Sequence, residues 1–258
     1  MQKTDDLDHL LQFFPAADRD LFNQHIKKYD TLLKTLLAKK TSTNNTKRKT
    51  GILALNGASG AGQSYVLERV EKLLKEKAIE LPRIHLLATR APRPGESHKN
   101  PYIFVKKIAD GFQDIHHPET LYKNDEIYYA YQSRPGASNA ILLSDVKKAM
   151  QKKRYLETVI PTLLHIQTTQ IGGIPPWGDK LKIVYLATPS GAEWLYRLLN
   201  RAAENLHQKP YQNTIKGRVH SSIADMEVAA THQVSTVLNK HGKGKEAAQE
   251  ILSIWGYA

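Results

Sequence analysis

Cysteine is absent from the 258 residues, so disulfide staples, thiolate nucleophiles and thiolate zinc sites are excluded. No apolar run approaches the roughly 18 residues that a membrane-spanning helix needs, and the opening MQKTDDLDH does not follow a signal-peptide pattern. The expectation is a soluble, cytoplasmic protein with no membrane partner. Acidic residues are scarce beside basic ones, 25 against 37, and the resulting formal charge of +12 invites a polyanion. The basic residues gather in three runs: Lys39, Lys40, Lys47, Arg48 and Lys49; Lys147, Lys148, Lys152, Lys153 and Arg154; and Lys240, Lys243 and Lys245. None is interleaved with stacking aromatics, so nucleic acid is not the expected partner. Solvated faces, with arginines aimed at phosphorylated small molecules, account for the charge. Nor do the histidines, the pair His116 and His117 included, show a metal-site spacing.

What the chain does carry is Gly51 to Val70, GILALNGASGAGQSYVLERV, which reads as a buried strand, a glycine-rich turn and a helix opening at Gly62 or Gln63. Such a turn suits phosphate. Small residues let successive backbone N–H groups point into one hollow, and the helix N-terminus adds unpaired donors and partial positive charge. Gly57, Ala58, Ser59, Gly60, Ala61, Gly62, Gln63 and Ser64, with Tyr65 next, fit the spacing G-x-x-x-x-G-K-[ST] at every fixed position but one. The lysine that should reach the β and γ phosphates is Gln63.

Residues 5 to 39 read as two amphipathic helices parted by Pro15. Leu7, Leu10, Leu11 and Phe14 share a face of the first; Leu21, Phe22, Ile26, Tyr29, Leu32, Leu33, Leu36 and Leu37 recur along the second. These faces need cover. Packing on the core is the expectation, with a second copy or a protein partner for residues 1–40 as alternatives. Residues 41–49 are polar and unpatterned, a linker. From Gly51 onward short strands alternate with helices, which argues an α/β domain around a parallel sheet. Strands are expected at Ile84 to Ala88, Tyr102 to Val105, Glu126 to Gln132, Tyr155 to Ile160 and Leu181 to Ala187. Helices are expected near Lys106 to Phe112, at Leu142 to Lys153, Pro161 to Gln170 and Pro189 to Arg201.

Within this frame stand Thr89-Arg90-Ala91-Pro92-Arg93-Pro94-Gly95-Glu96, Tyr102-Ile103-Phe104-Val105, and Val184 to Ser190 followed by Glu193 to Arg201. Ile215-Lys216-Gly217-Arg218, Asp225, Glu227 and a strand from Gln233 to Asn239 complete the set. In these segments, over about residues 50 to 255, the chain resembles the guanylate kinase family, whose phosphate loop is followed by a TRxPRxGE segment and a YxFV strand. The resemblance implies an α/β P-loop kinase fold with a parallel core sheet, a small lobe at about 98–135 and a lid at about 201–218. Residues 1–49 would be an added helical extension and linker.

The same resemblance implies roles. ATP would sit on the loop residues, with Asn239 near its adenine, and Mg²⁺ would take Ser64 as its one nameable protein ligand. Gln63, Arg197, Arg201 and Arg218 would surround the transferring group. Arg90, Arg93, Glu96, Tyr102 and Tyr129 would hold the acceptor, the arginines as planar forks on its phosphate, and Glu119 would supply its carboxylate after a one-residue register shift. The base side departs from the family. Leu86 stands where the family has a serine, Tyr131 stands where it has a hydroxyl residue after its YYG, and the aspartate closing its central strand has no nearer counterpart than Glu157. Three functions stay open: a nucleoside monophosphate kinase using ATP and GMP or a related acceptor at reduced rate; a catalytically silent module binding nucleotide or phosphoprotein; and a kinase for a phosphorylated sugar.

Overall fold

A computed structural model describes residues 2–39, 50–92, 96–99, 102–134, 136–232 and 234–257. The linker at 41–49 and Arg93 lie outside the described residues. In chain order the elements are α1 (Gln2–Leu11), α2 (Ala16–Ala38), β1 (Ile52–Gly57), α3 (Gln63–Glu76), β2 (Arg83–Ile84), β3 (Leu86–Ala88), β4 (Tyr102–Ile108), β5 (Gly111–Asp114), β6 (Leu121–Lys123), β7 (Ile127–Arg134), β8 (Ala137–Leu142), α4 (Leu143–Ala149), β9 (Arg154–Leu156), α5 (Ile160–Thr168), β10 (Leu181–Ala187), α6 (Gly191–Asn200), α7 (Lys209–Thr231), β11 (Ser235–Leu238) and α8 (Gly244–Ile254). Among the described residues no helix is long and apolar enough to cross a membrane.

The chain divides into two compact units, and β1 gives its second half to one and its first half to the other. The first unit holds residues 1–46, 55–79 and 183–258. Its strands lie in the order β11–β10–β1, and β10 runs parallel to β11 from Val184 opposite Ser235 to Ala187 opposite Leu238. All but the last residue of β1 are buried, as a strand covered on both faces requires. Helix α3 packs on α8, and α2 lies against α7 and α6. Helix α1 also meets α6. The apolar faces of both N-terminal helices are thereby covered: Leu7, Leu10, Leu11, Phe14, Phe22, Tyr29, Leu33 and Leu36 are all buried. Leu21 and Leu37, assigned to the same stripe by spacing, stand exposed because the buried stripe of a straight helix is narrower than the apolar sequence.

The second unit holds residues 47–54 and 80–182. Here β9 lies between β1 and β2 and runs parallel to both, with Ile52 opposite Arg154 and Arg83 opposite Tyr155. A second sheet has the order β6–β5–β4–β3–β8–β7, in which only β3 and β4 are parallel. One face of it buries Leu87, Ile103, Val105, Phe112 and Ala140. Alternation and register put Leu86, Ala88, Tyr102, Phe104, Tyr129, Tyr131, Asn139 and Ile141 on the other face.

Several expectations are corrected. The helix expected near Lys106 to Phe112 is a hairpin of β4 and β5, because Ala109-Asp110 turns the chain and Ile108 pairs with Gly111. The single strand expected at Ile84 to Ala88 breaks at His85, its two parts joining different sheets. The helix expected to reach Lys153 stops at Ala149, and the strand expected to reach Ile160 stops at Leu156, with Ile160 opening α5 ahead of Pro161. No strand was expected at β5, β6 or β8.

Phe22 is fully buried and meets Phe14 edge-on at 4.9 Å. Phe22→Ala is expected to lower the unfolding free energy by about 3 kcal/mol or more, read from urea denaturation followed by tryptophan fluorescence. Trp194 and Trp255 lie in the same unit, so an unchanged midpoint would show that α2 is energetically separate from that core.

Candidate functional site: a glycine-rich phosphate loop and an arginine–tyrosine cluster

In the first unit the loop from Gly57 joins β1 to α3, which opens at Gln63. Gly60 and Gly62 hold φ of +91° and +88°, the left-handed region that favours glycine. A Cβ on Gly62 would also lie 2.5 Å from Asn239 Nδ2. That amide, at the end of β11, donates to Ala61 O at 2.7 Å. Ser59 is held on both sides of its backbone: its N–H donates to Ser222 Oγ at 2.9 Å, and Trp194 Nε1 donates to its carbonyl at 2.8 Å. The first α3 helical bond runs from Val66 N to Gly62 O, which leaves the N–H groups of Gln63, Ser64 and Tyr65 without intrahelical acceptors. These donors, with the positive end of the helix, give the hollow a chemistry that suits an anion.

Side chains around the hollow have definite partners. Gln63 Nε2 lies 3.4 Å from Leu55 O, a long hydrogen bond, and Ser64 and Tyr65 are exposed. Arg69 places its guanidinium 3.3 Å from the Tyr65 ring centre. Arg197 Nη2 donates to Glu193 Oε1 at 2.6 Å and to Asn239 O at 3.0 Å, so it is anchored to the strand end that also holds the loop. Arg201 and Arg218 are exposed. The structure thus gives Asn239 a role the sequence did not suggest, since its side chain is buried and committed to Ala61. Sequence reasoning also missed Trp194 and Ser222, whose bonds to Ser59 arise from helices distant in the chain.

In the second unit Arg90 is buried and forms a two-pronged bond to Glu96, at 2.6 and 2.7 Å. The Glu96 carboxylate holds the guanidinium above its ordinary pKa. The same guanidinium lies 4.7 Å from the Tyr102 ring centre. Burial, and then the charge of Glu157, push the Tyr102 phenol up. Glu157, whose charge acts on the Tyr102 phenol, therefore lies close to this cluster. Tyr131 hydrogen-bonds Thr158 Oγ1 and accepts from Asn139 Nδ2 at 3.1 Å. Tyr129 lies 4.9 Å from His165, ring to ring. Asn139 was missed because the register of β8 brings it opposite Tyr131, and Thr158 because it reaches Tyr131 from the segment after β9; no local pattern encodes either meeting. Glu119 stands exposed in the turn before β6, 3.6 Å from His117 Nδ1, and among the described residues it makes no hydrogen bond or ion pair with Arg90, Tyr102 or Tyr129. Leu86 is buried on the sheet face that carries Tyr102.

A buried strand running parallel to β9, a glycine-rich turn and a helix N-terminus make this an α/β protein with the layout of a phosphate-binding loop. No protein-family model matches the chain. It is 43% identical over 56 residues to the guanylate kinase of Wolbachia sp. subsp. Brugia malayi, a match spanning 22% of this chain and 27% of that protein. It is 23% identical over 201 residues to the guanylate kinase of Corynebacterium jeikeium, spanning 78% and 95% of the two chains. A crystal structure of guanylate kinase from Anaplasma phagocytophilum aligns with a TM-score of 0.49 at 16% identity, over 81% of this chain and 86% of that one. Guanylate kinases are thus this chain's relatives in sequence.

Asp225, on α7, is pushed by burial from 3.8 up to about 6. The folded chain therefore keeps a proton that the unfolded chain releases between about pH 4 and 6, and stability falls as pH rises through that window. Asp225→Asn is expected to be about 2 to 3 kcal/mol more stable than the wild type at pH 7, with the difference vanishing near pH 3.5. Urea melts of both proteins at the two pH values decide this, and equal pH slopes would refute it.

Proposed function

We propose that this chain is a guanylate-kinase-like phosphotransferase, passing a phosphoryl group from ATP to GMP or a related phosphorylated acceptor at reduced rate. The observation that carries this reading is the pinned loop at Gly57 to Ser64, with three helix N–H donors above it and glutamine where lysine is usual. Phosphoryl transfer asks the protein mainly to align reactants and spread positive charge around the moving group. In this reading the loop and Tyr65 hold ATP. Gln63, Arg197, Arg201 and Arg218 serve the transferring group, and Arg90, Arg93, Glu96, Tyr102 and Tyr129 serve the acceptor. Glu119 is left out, because it is exposed and paired with His117.

Mg²⁺ would be held by the Ser64 hydroxyl and the phosphate oxygens, a hard oxygen set that suits it. The ion supplies charge neutralisation on those oxygens when bound. Among the described residues no group of three His, Asp or Glu forms another metal site.

A second reading, a silent nucleotide- or phosphoprotein-binding module, is favoured by two charge losses. Gln63 is neutral, and Glu96 already occupies both prongs of Arg90. An ammonium bonded to phosphate is worth about 1.5 to 3 kcal/mol, and a neutral amide about 0.5 to 1.5. The difference is about 1 to 1.5 kcal/mol per bond, and over two bonds at the transition state it slows chemistry roughly 30- to 150-fold. Weak turnover of ATP and GMP is therefore expected in the wild type, with at least about a tenfold rise in kcat for Gln63→Lys and a smaller change in nucleotide affinity. A coupled assay of ADP release on several nucleoside monophosphates measures both. No turnover by either protein would favour the silent module, and a fall on introducing lysine would show that another cation already fills its place.

A further inference from the structure

We infer that helix α2 positions the phosphate loop, with Tyr29 and Asp30 as positioning residues that fix Trp194 and, through it, Ser59 for nucleoside-phosphate binding. The inference rests on reading the glycine-rich turn as a phosphate site. Its structural core stands apart from that reading.

The contacts form one continuous series within the first unit. The buried Tyr29 hydroxyl accepts from Thr188 N at 2.8 Å and shares a hydrogen bond with Thr188 Oγ1 at 2.9 Å. Thr188 directly follows β10, and its hydroxyl donates to the carbonyl of Ser190 at 2.9 Å. Ser190 caps α6 by accepting from Glu193 N at 3.2 Å. One residue along α2, Asp30 Oδ1 accepts from Gly191 N at 2.7 Å, a carboxylate at the positive end of α6. The helices meet so closely there that a Cβ on Gly191 would lie 2.5 Å from Ile26 O, which leaves room only for glycine. The Tyr29 ring then stacks on Trp194 at 4.9 Å and 13°, and the Trp194 indole N–H holds Ser59 O.

A single turn of α2 thus fixes the strand end, the first residue and the tryptophan of the β10–α6 corner. The other side of the Ser59 peptide is held by Ser222 of α7, which α2 also pins through ion pairs of Asp18 with Lys216 at 3.1 Å and of Lys28 with Glu227 at 2.5 Å. A loop that binds anions through backbone N–H groups depends on having them aimed beforehand, since it has few side chains to do so. Arg197, on the same helix α6, is carried by the same corner. A helix acting only as core filler would lower global stability on damage and leave the loop as it was.

The test uses the full chain. Tyr29→Phe keeps the stacked ring and removes the hydroxyl; Trp194→Phe keeps a ring and removes the N–H that holds Ser59. Amide hydrogen exchange is followed over residues 55–65 and, as a control, over β10 and β11, and ATP is titrated by equilibrium binding. Each variant is expected to exchange about tenfold faster in the loop with unchanged control strands, to bind ATP about five- to tenfold more weakly, and to add little in the double variant. Unchanged loop exchange in Tyr29→Phe overturns the inference, and so does faster exchange with unaltered ATP affinity. If the wild type binds no ATP, the proposed function fails and loop exchange alone decides whether α2 positions the loop. Should Tyr29→Phe not fold, Asp30→Asn, which retains an acceptor oxygen, is read by the same two measurements.

Discussion

The peptide of Ser59 is gripped from both sides, its N–H by the Ser222 hydroxyl and its carbonyl by the Trp194 indole, and the first unit is built around that grip. A run such as Gly57 to Gly62 has almost no side chain with which to hold itself, and three of its residues are glycine. Its shape must come from outside. Helices α6 and α7 supply it, and they are in turn fixed by α2, by Asn239 at the end of β11 and by the buried stack of Tyr29 on Trp194. The N-terminal helices therefore belong to the architecture of the loop as much as β1 and α3 do.

Charge is distributed in a way that tempers the anion-binding potential of both units. The loop offers partial charges from the end of α3, while Gln63 brings no formal charge and Arg197 is shared with Glu193. In the second unit Arg90 is buried against Glu96 and stacked over Tyr102, so its cation is oriented and largely neutralised. Buried, bidentate pairs of this kind fix geometry at the expense of field strength. The chain's large positive charge resides instead mainly on exposed lysines and arginines, where salt screens it.

Much of this was legible in the residues. The apolar run from Ile52, the glycines and the residues that follow announced a strand, a phosphate loop and a helix because those signals are local: buried strands need continuous apolar side chains, and left-handed turns favour glycine. The two N-terminal helices and the break at Pro15 were equally plain, since period and proline act within a few residues. Misreadings fell in the sheet of the second unit, where short strands such as β5, β6 and β8 are too brief to carry a period and exist only by pairing.

The sequence by itself determined the two N-terminal helices, the strand–turn–helix of β1 and α3, and the identity of the loop's substituted residue, Gln63, because backbone preference and spacing are written locally. Only the tertiary structure decided which groups hold that loop. Tyr29, Trp194 and Ser222 lie far apart in the chain and each reads alone as an ordinary helix residue, while Asn239, expected beside an adenine, holds the loop backbone at Ala61 instead. Their partnership depends on helix packing and strand order, as does the meeting of Asn139 with Tyr131, and these are set by the collective burial of side chains that no single stretch encodes.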